Sequence, residues 1–299
     1  MMNMPNIPYQ GRFAPSPSGS LHFGSLVAAL GSYLQAKSQQ GTWQVRIDDL
    51  DPPREVQGAA EDILHTLQAY GLHWDGDVVY QSQRYPAYEK IISQLNQQHI
   101  CYACACTRKS IKENGGIYQG LCRNRHLPMT NHALRLNMSC LNDPITYFYD
   151  QLQGDVYVDL QEALEDFIVK RKDGLYGYNL AVVIDDINQG ITEIVRGADL
   201  LPTTSKQIAL YRLLNIEPPN YVHLPLAVTS PGHKLSKQNH ALAIDKNNPI
   251  PTLLKALKFL GYSVTKELDK LTCSEILQWA IKNWSLAIVP KKQEILVDF

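Results

Sequence analysis

The chain has 299 residues, 44% hydrophobic and 19% charged, with a formal net charge of −1. That is the composition of a globular protein with room for one to three domains, and the absence of about 18 consecutive apolar residues excludes a membrane span. Near-neutral charge does not advertise a nucleic-acid binder, although such a protein needs only a local basic face. The first residues, MMNMPNIPYQ, lack the basic and apolar regions of a signal peptide, so a cytoplasmic protein is expected.

In chain order, YQGRF reads as a short strand, and APSPSGS as a loop, because Pro15 and Pro17 fix φ and bias the residues before them away from helix. Leu26, Leu30, Tyr33 and Leu34 then recur at helical spacing, Gly41 is a plausible stop, and WQVRI returns as a strand. This is a βαβ unit with parallel strands and a right-handed crossover. A helix is expected from about Glu55 to Tyr70, ended by Gly71, and another carries Tyr88, Ile91, Ile92 and Leu95. Residues 100–165 break this rhythm and read as an inserted module. YNLAVVIDD and GITEIVRG, rich in β-branched residues, read as two strands, followed by a helix around 205–214 and a helical pattern from Pro251 onward.

A strand, a Gly/Ser/Pro loop and a helix start build an anion site, since unpaired N–H groups and the helix dipole favour phosphate. Gly19 and Gly24 let a ligand approach the backbone, and His22 is placed to donate to a phosphate oxygen. Much later, GHKLSKQ carries Lys234 and Lys237, mobile cations for a triphosphate. On shape alone, the first loop also reads as a tight turn with a solvent-facing histidine, and the second as a solvated lysine loop.

Together the two loops resemble the HIGH and KMSKS signatures of class I aminoacyl-tRNA synthetases, in the forms SLHFG and KLSKQ. GRFAPSPSGSLHFGSL, RIDDLDPPR, YNLAVVIDD and EIVRGADLL are similar to the glutamate branch of that class, in its order. Only about 60 residues follow KLSKQ, too few for the anticodon-binding region of a glutamyl-tRNA synthetase. With the CxC module, this truncation resembles the glutamyl-queuosine-tRNA(Asp) synthetase family.

The resemblance implies an α/β, Rossmann-type class I catalytic domain, with halves at 1–99 and 166–245. It implies an inserted zinc-bearing, acceptor-binding-like module at 100–165 and a short helical region at 246–299. The implied activity is ATP-dependent activation of L-glutamate without tRNA, then transfer to the queuosine base in the anticodon of tRNA(Asp). His22, Gly24, Lys234 and Lys237 would meet ATP and its Mg²⁺, with His22 and Lys237 the catalytic pair. Arg12, Ser16, Asp48, Tyr178 and Arg196 would contact glutamate, the arginines as cations for carboxylate. The family usually has glutamate where RIDD places Asp48, so a bridging water or help from Asp49 is expected.

Six cysteines occur, four of them between Cys101 and Cys122; such clustering in a cytosolic chain favours metal over disulfides. Cys104, Cys106 and Cys122 are the natural zinc ligands, with Cys101 or His126 the first choice for a fourth. The family resemblance instead supplies Tyr118, in the pattern CxC–x11–Y–x3–C. Arg108, Lys109, Lys112, Arg123 and Arg125, with Lys170, Arg171 and Lys172, suit RNA phosphates, or simply a solvated surface. The chain is expected to act as a monomer. The rival readings are a compact synthetase charging tRNA(Glu), a non-catalytic RNA-binding paralogue and another nucleotidyltransferase of the HIGH type.

Overall fold

The computed structural model describes residues 8–230, 233–234 and 242–297. Strand β1 (Gln10–Phe13), helix α1 (Phe23–Ser38) and strand β2 (Thr42–Ile47) form the expected unit, β1 and β2 parallel with Gln10 opposite Thr42. Helix α1 buries Leu26, Leu30, Tyr33 and Leu34. It does not stop at Gly41. The left-handed residue is Gln40 (φ 55°), and the Gly41 N–H closes the turn on the Ala36 carbonyl at 2.9 Å. Gly41 is needed for space instead: a Cβ there would stand 2.5 Å from the Tyr9 carbonyl oxygen.

Helix α2 (Ala59–Ala69) starts later than Glu55, because Pro52–Arg54 forms a 3₁₀ turn and Gly58 takes a left-handed φ of 77° at the N-cap. Strand β3 (Val79–Tyr80) extends the parallel sheet beside β2, and α3 (Tyr85–Gln97) buries Tyr88, Ile92 and Leu95. The next stretch holds β4 (Cys101–Cys104), α4 (Arg108–Glu113), β5 (Ala133–Leu136), β6 (Tyr147–Asp150), β7 (Gly154–Tyr157), α5 (Leu160–Ala163) and β8 (Ile168–Lys170). Strands β4, β5 and β8 make one antiparallel sheet, which crosses residue 165; β6 and β7 form a separate hairpin.

YNLAVVIDD is not a strand. It is helix α6 (Tyr178–Asn188), buried continuously from Leu180 to Asp186. A helix enclosed on every side shows no amphipathic period, so its β-branched run looks like a core strand. Strand β9 (Glu193–Gly197) and helix α7 (Thr204–Leu213) follow, and β10 (Asn220–Leu224) pairs parallel with β9. Strand β9 lies alongside β1, tied by Thr192 N–H to the Gln10 carbonyl and by Gln10 N–H to Thr192 Oγ1, both 2.9 Å. Strands β11 (Leu226–Ser230) and β12 (His233–Lys234) are antiparallel. Helices α8 (Pro249–Phe259) and α9 (Cys273–Lys282) match the helical tail, but the tail also returns as strand β13 (Glu294–Leu296), parallel to β11.

Two large apolar cores result among the described residues, besides a small cluster of Cys104, Tyr118 and Cys122. One joins α1 and the first strands to α8 and α9 through Leu30, Trp43, Leu257 and Ile276; the other joins α3, β5, α6 and α7 through Tyr88, Leu136, Leu180 and Ile208. Strands β1, β2, β9 and β10 all end at one edge, next to the start of α1. In parallel α/β sheets this carboxyl edge is where ligands bind. Among the described residues no helix is long and apolar enough to cross a membrane.

Candidate active site

At that edge lies a cavity of about 380 Å³, lined by seven of the residues expected to meet ATP or glutamate: Arg12, Ser16, His22, Gly24, Asp48, Tyr178 and Arg196. A second cavity, of about 330 Å³, adjoins it through Ser16, Ser18 and Asp48 and is walled by Asp51, Arg54 and Glu55.

His22 is the N-cap of α1. Its Nδ1 accepts the Ser25 N–H at 3.3 Å, so the ring proton sits on Nε2, 3.0 Å from Ser25 Oγ. Gly24 lies in the first helical turn beside it, and Gly19 enters the loop with φ at 131°, a conformation L side chains rarely adopt. The segment that follows the lysine loop comes back to this point: Ala243 bridges to His22, and Ile244 N–H donates to the Leu21 carbonyl at 3.0 Å. Lys234 is in β12, opposite Val228, next to cavity-lining Ala227. Lys237 lies outside the described residues.

The glutamate candidates are held by buried charges that sequence reasoning missed. Arg12 Nε and Nη2 donate to the two oxygens of Asp186 at 3.0 and 3.3 Å. Asp186 also accepts from Arg46 Nη1 at 2.7 Å, and Arg46 Nε donates to Asp48 Oδ1 at 2.7 Å. The order Arg12–Asp186–Arg46–Asp48 is thus one fixed chain. Burial opposes charge on Asp186, yet Arg12 and Arg46 hold its carboxyl below the usual range. Burial dominates at Asp48 and pushes it up to about 6, against the pull of Arg46. Asp49 is committed elsewhere, accepting from Ser82 N–H and Oγ at 2.8 and 2.6 Å. The signal for Asp186 was present: two adjacent acids end an otherwise apolar run.

Arg196, 5% exposed, donates Nε to His223 Nε2 at 3.0 Å, Nη1 to Gln207 Oε1 at 2.8 Å, and Nη2 to Thr204 Oγ1 at 2.8 Å and the Leu200 carbonyl at 3.4 Å. Among the described residues this leaves one Nη1–H for a ligand rather than a two-pronged fork. Tyr178, the first residue of α6, is 41% exposed at the cavity wall, so it is not a core aromatic.

Away from this cavity, the Cys104, Cys106 and Cys122 sulfurs lie within 4.8 Å of one another, with Cys106 and Cys122 3.6 Å apart. Tetrahedral thiolate zinc, with bonds near 2.3 Å, spaces its sulfurs by about 3.8 Å, so the triad fits. Tyr118 Oη sits 3.4 Å from Cys104 Sγ and accepts the Cys122 N–H at 2.9 Å. Arg135 stacks over the Tyr118 ring, 3.9 Å from its centre. Burial opposes a Cys122 thiolate, but the Ala105 N–H and neighbouring side chains bring its pKa down to about 7. Cys101 lies three positions from Cys104 on β4, an odd step that turns it to the opposite face, into the core of α3 and β5. His126 is exposed and outside the cluster.

The basic residues divide. Arg123 donates Nε and Nη2 to buried Asp166, each at 2.7 Å, and is an internal tie. Lys170 pairs with Glu89, and Arg171 with Asp173. Arg108, Lys109, Lys112, Arg125 and Lys172 are exposed.

A parallel sheet whose carboxyl edge carries a helix start and a buried cation and carboxylate array is the arrangement of an α/β catalytic domain. Residues 9–295 match the family described as tRNA synthetases class I (E and Q), catalytic domain. The glutamyl-Q tRNA(Asp) synthetase of Photobacterium profundum is 58% identical over 97% of this chain and 92% of its own length. That of Escherichia coli K12 is 55% identical over 96% and 92%. Among solved structures, a glutamate tRNA ligase from Elizabethkingia meningosepticum, in complex with its amino acid, superposes with a TM-score of 0.79 at 26% identity. It covers 95% of this chain, which spans 66% of that protein. The chain belongs to the class I tRNA synthetases of the E and Q group, in the glutamyl-Q tRNA(Asp) synthetase branch.

Proposed function

We propose that this enzyme activates L-glutamate with ATP and transfers it to queuosine in the anticodon of tRNA(Asp). The carrying observation is the single cavity in which Arg12, Ser16, His22, Gly24, Asp48, Tyr178 and Arg196 meet at the carboxyl edge of the sheet.

In the first step an α-carboxylate oxygen of glutamate bonds to the α-phosphorus of ATP, the bond to the bridging oxygen breaks, and pyrophosphate leaves. No side-chain nucleophile is needed; positioning and charge stabilisation do the work. The N–H groups at the start of α1 face phosphate, His22 orients the Ser25 hydroxyl toward it through its Nε2–H, Lys234 and Lys237 steady the departing charge, and Mg²⁺ enters with ATP. Asp48, aimed by Arg46, receives the α-ammonium. Arg196 and the free edge of Arg12 receive the side-chain carboxylate. In the second step a hydroxyl of the queuosine diol attacks the activated carboxyl and AMP leaves. The adjoining cavity between Ser16 and Glu55 is the entrance for that acceptor.

Cys104 at the end of β4, Cys106, Tyr118 and Cys122 would hold zinc, which would supply a structural cross-link. That cross-link would pin the module we assign to residues 100–165, with β8 completing its sheet. That module presents Arg108, Lys109, Lys112 and Arg125 to RNA phosphates, and the catalytic halves at 1–99 and 166–245 and the tail at 246–299 pack as one monomer. The test of the first step is ATP–pyrophosphate exchange with glutamate and no tRNA. Exchange is expected, and Lys237→Ala should lower kcat far more than it alters the glutamate KM. Exchange that strictly required tRNA would count against the reading.

A further inference from the structure

Arg12 and Arg196 both line the cavity, but their surroundings differ. Arg12 is paired directly with a carboxylate, Asp186, at 3.0 Å. The partners of Arg196 among the described residues are neutral acceptors: His223, Gln207, Thr204 and a carbonyl. A hydrogen-bonded link to an acid runs through His223, whose Nδ1 lies 2.6 Å from Asp150 Oδ2, both side chains fully buried, while Asp199 also lines the cavity.

The protonation pattern of this chain is forced. A guanidinium only donates, so His223 Nε2 must be bare to accept from Arg196 Nε, and the ring proton must sit on Nδ1. That proton is donated to Asp150 Oδ2. Asp150 cannot turn away, since its Oδ1 accepts the Leu152, Gln153 and His223 N–H groups at 3.0, 2.8 and 3.3 Å. Burial disfavours the imidazolium form, in agreement with a neutral ring. A neutral spacer therefore holds the guanidinium on one side without cancelling its charge. Had Asp150 paired with Arg196 directly, an incoming anion would face a neutralised pair.

We propose that His223 and Asp150 are positioning residues for substrate selection: Asp150 sets the tautomer of His223, and His223 orients Arg196 while leaving its charge for an anionic side chain. This rests on the reading that Arg196 meets the side-chain carboxylate of glutamate. The residues come from three separate strands, β9, β10 and β6, which is why sequence spacing gives no hint of them.

The test uses the full chain in ATP–pyrophosphate exchange, with glutamate and glutamine as alternative substrates. Arg196→Ala checks the underlying reading and should raise the glutamate KM; an unchanged KM removes both that reading and this proposal. His223→Leu should raise the glutamate KM about tenfold, a loss of the size expected for one hydrogen bond to a charged group. It should leave the ATP KM within about twofold and lower the preference for glutamate over glutamine. His223→Gln keeps an acceptor where Nε2 stood and should recover most of the loss. Asp150→Asn, which keeps the shape, should raise the glutamate KM in the parent chain and add little in the His223→Leu chain. If Arg196→Ala raises the glutamate KM while Asp150→Asn and both His223 variants leave it unchanged, the relay is wrong and the reading survives. Equal loss for ATP and glutamate, or a glutamine variant no better than leucine, equally overturns it. Thermal melts of each variant identify one that does not fold; Asp150→Asn and His223→Gln then decide.

Discussion

At the residue scale, the most exposed consequence concerns Asp48. Its carboxyl titrates near 6 because burial outweighs the pull of Arg46. A substrate ammonium needs the ionised form and holds it ionised. Below pH 6 binding must therefore expel a proton, and glutamate affinity should fall by up to about tenfold per pH unit. Titration calorimetry at pH 7.5 and 5 checks this: the parent should weaken on acidification, and Asp48→Asn should bind about 10- to 100-fold more weakly at pH 7.5 and lose most of the pH dependence. Asp186 behaves oppositely. Its depressed pKa means its ion pairs stabilise the fold above the ordinary carboxylate range, and that contribution is lost as pH falls through its lowered value. Asp186→Asn leaves Arg12 and Arg46 undercompensated in the interior and should cost about 3–5 kcal/mol in urea unfolding. The residues that line the cavity were legible because motifs carry them. Those that aim them were not: Arg46 belongs to strand β2 and meets Asp186 only through the fold, and His223 and Asp150 have no local pattern at all.

At the scale of elements, the βαβ start was legible because α1 has an apolar spacing that only a helix satisfies. Helix α6 was not, since burial from Leu180 to Asp186 erases the alternation between faces that distinguishes helix from strand. The start of α6 is set by Gly177: a Cβ there would meet the Ile168 carbonyl oxygen of β8 at 2.1 Å, and its N–H donates to the Val169 carbonyl at 2.8 Å. Backbone cannot yield as a side chain can, so Gly177→Ala should destabilise by about 1–3 kcal/mol and shift Tyr178. A lower melting temperature with a raised glutamate KM is the expected result. In the zinc candidate, Cys122→Ser should lose metal by elemental analysis, and Tyr118→Phe should bind it more weakly. Unchanged metal content in Tyr118→Phe would exclude the phenol as a ligand.

For the whole molecule, the claim is a division of labour. In the proposed function the sheet edge activates glutamate by itself, while the cysteine-bearing module and its exposed cations would serve the RNA. The family was legible from the order of its motifs, because five separate segments agree. Where glutamate finally goes is the central claim, and one measurement addresses it most directly: the position of labelled glutamate on tRNA after nuclease fragmentation. Protein, ATP and labelled glutamate are incubated with queuosine-containing and queuosine-free tRNA(Asp), and with tRNA(Glu). Label on the anticodon fragment of queuosine-containing tRNA(Asp), and none on the queuosine-free tRNA, is the predicted result. Label on the 3′-terminal adenosine of tRNA(Glu) would contradict it.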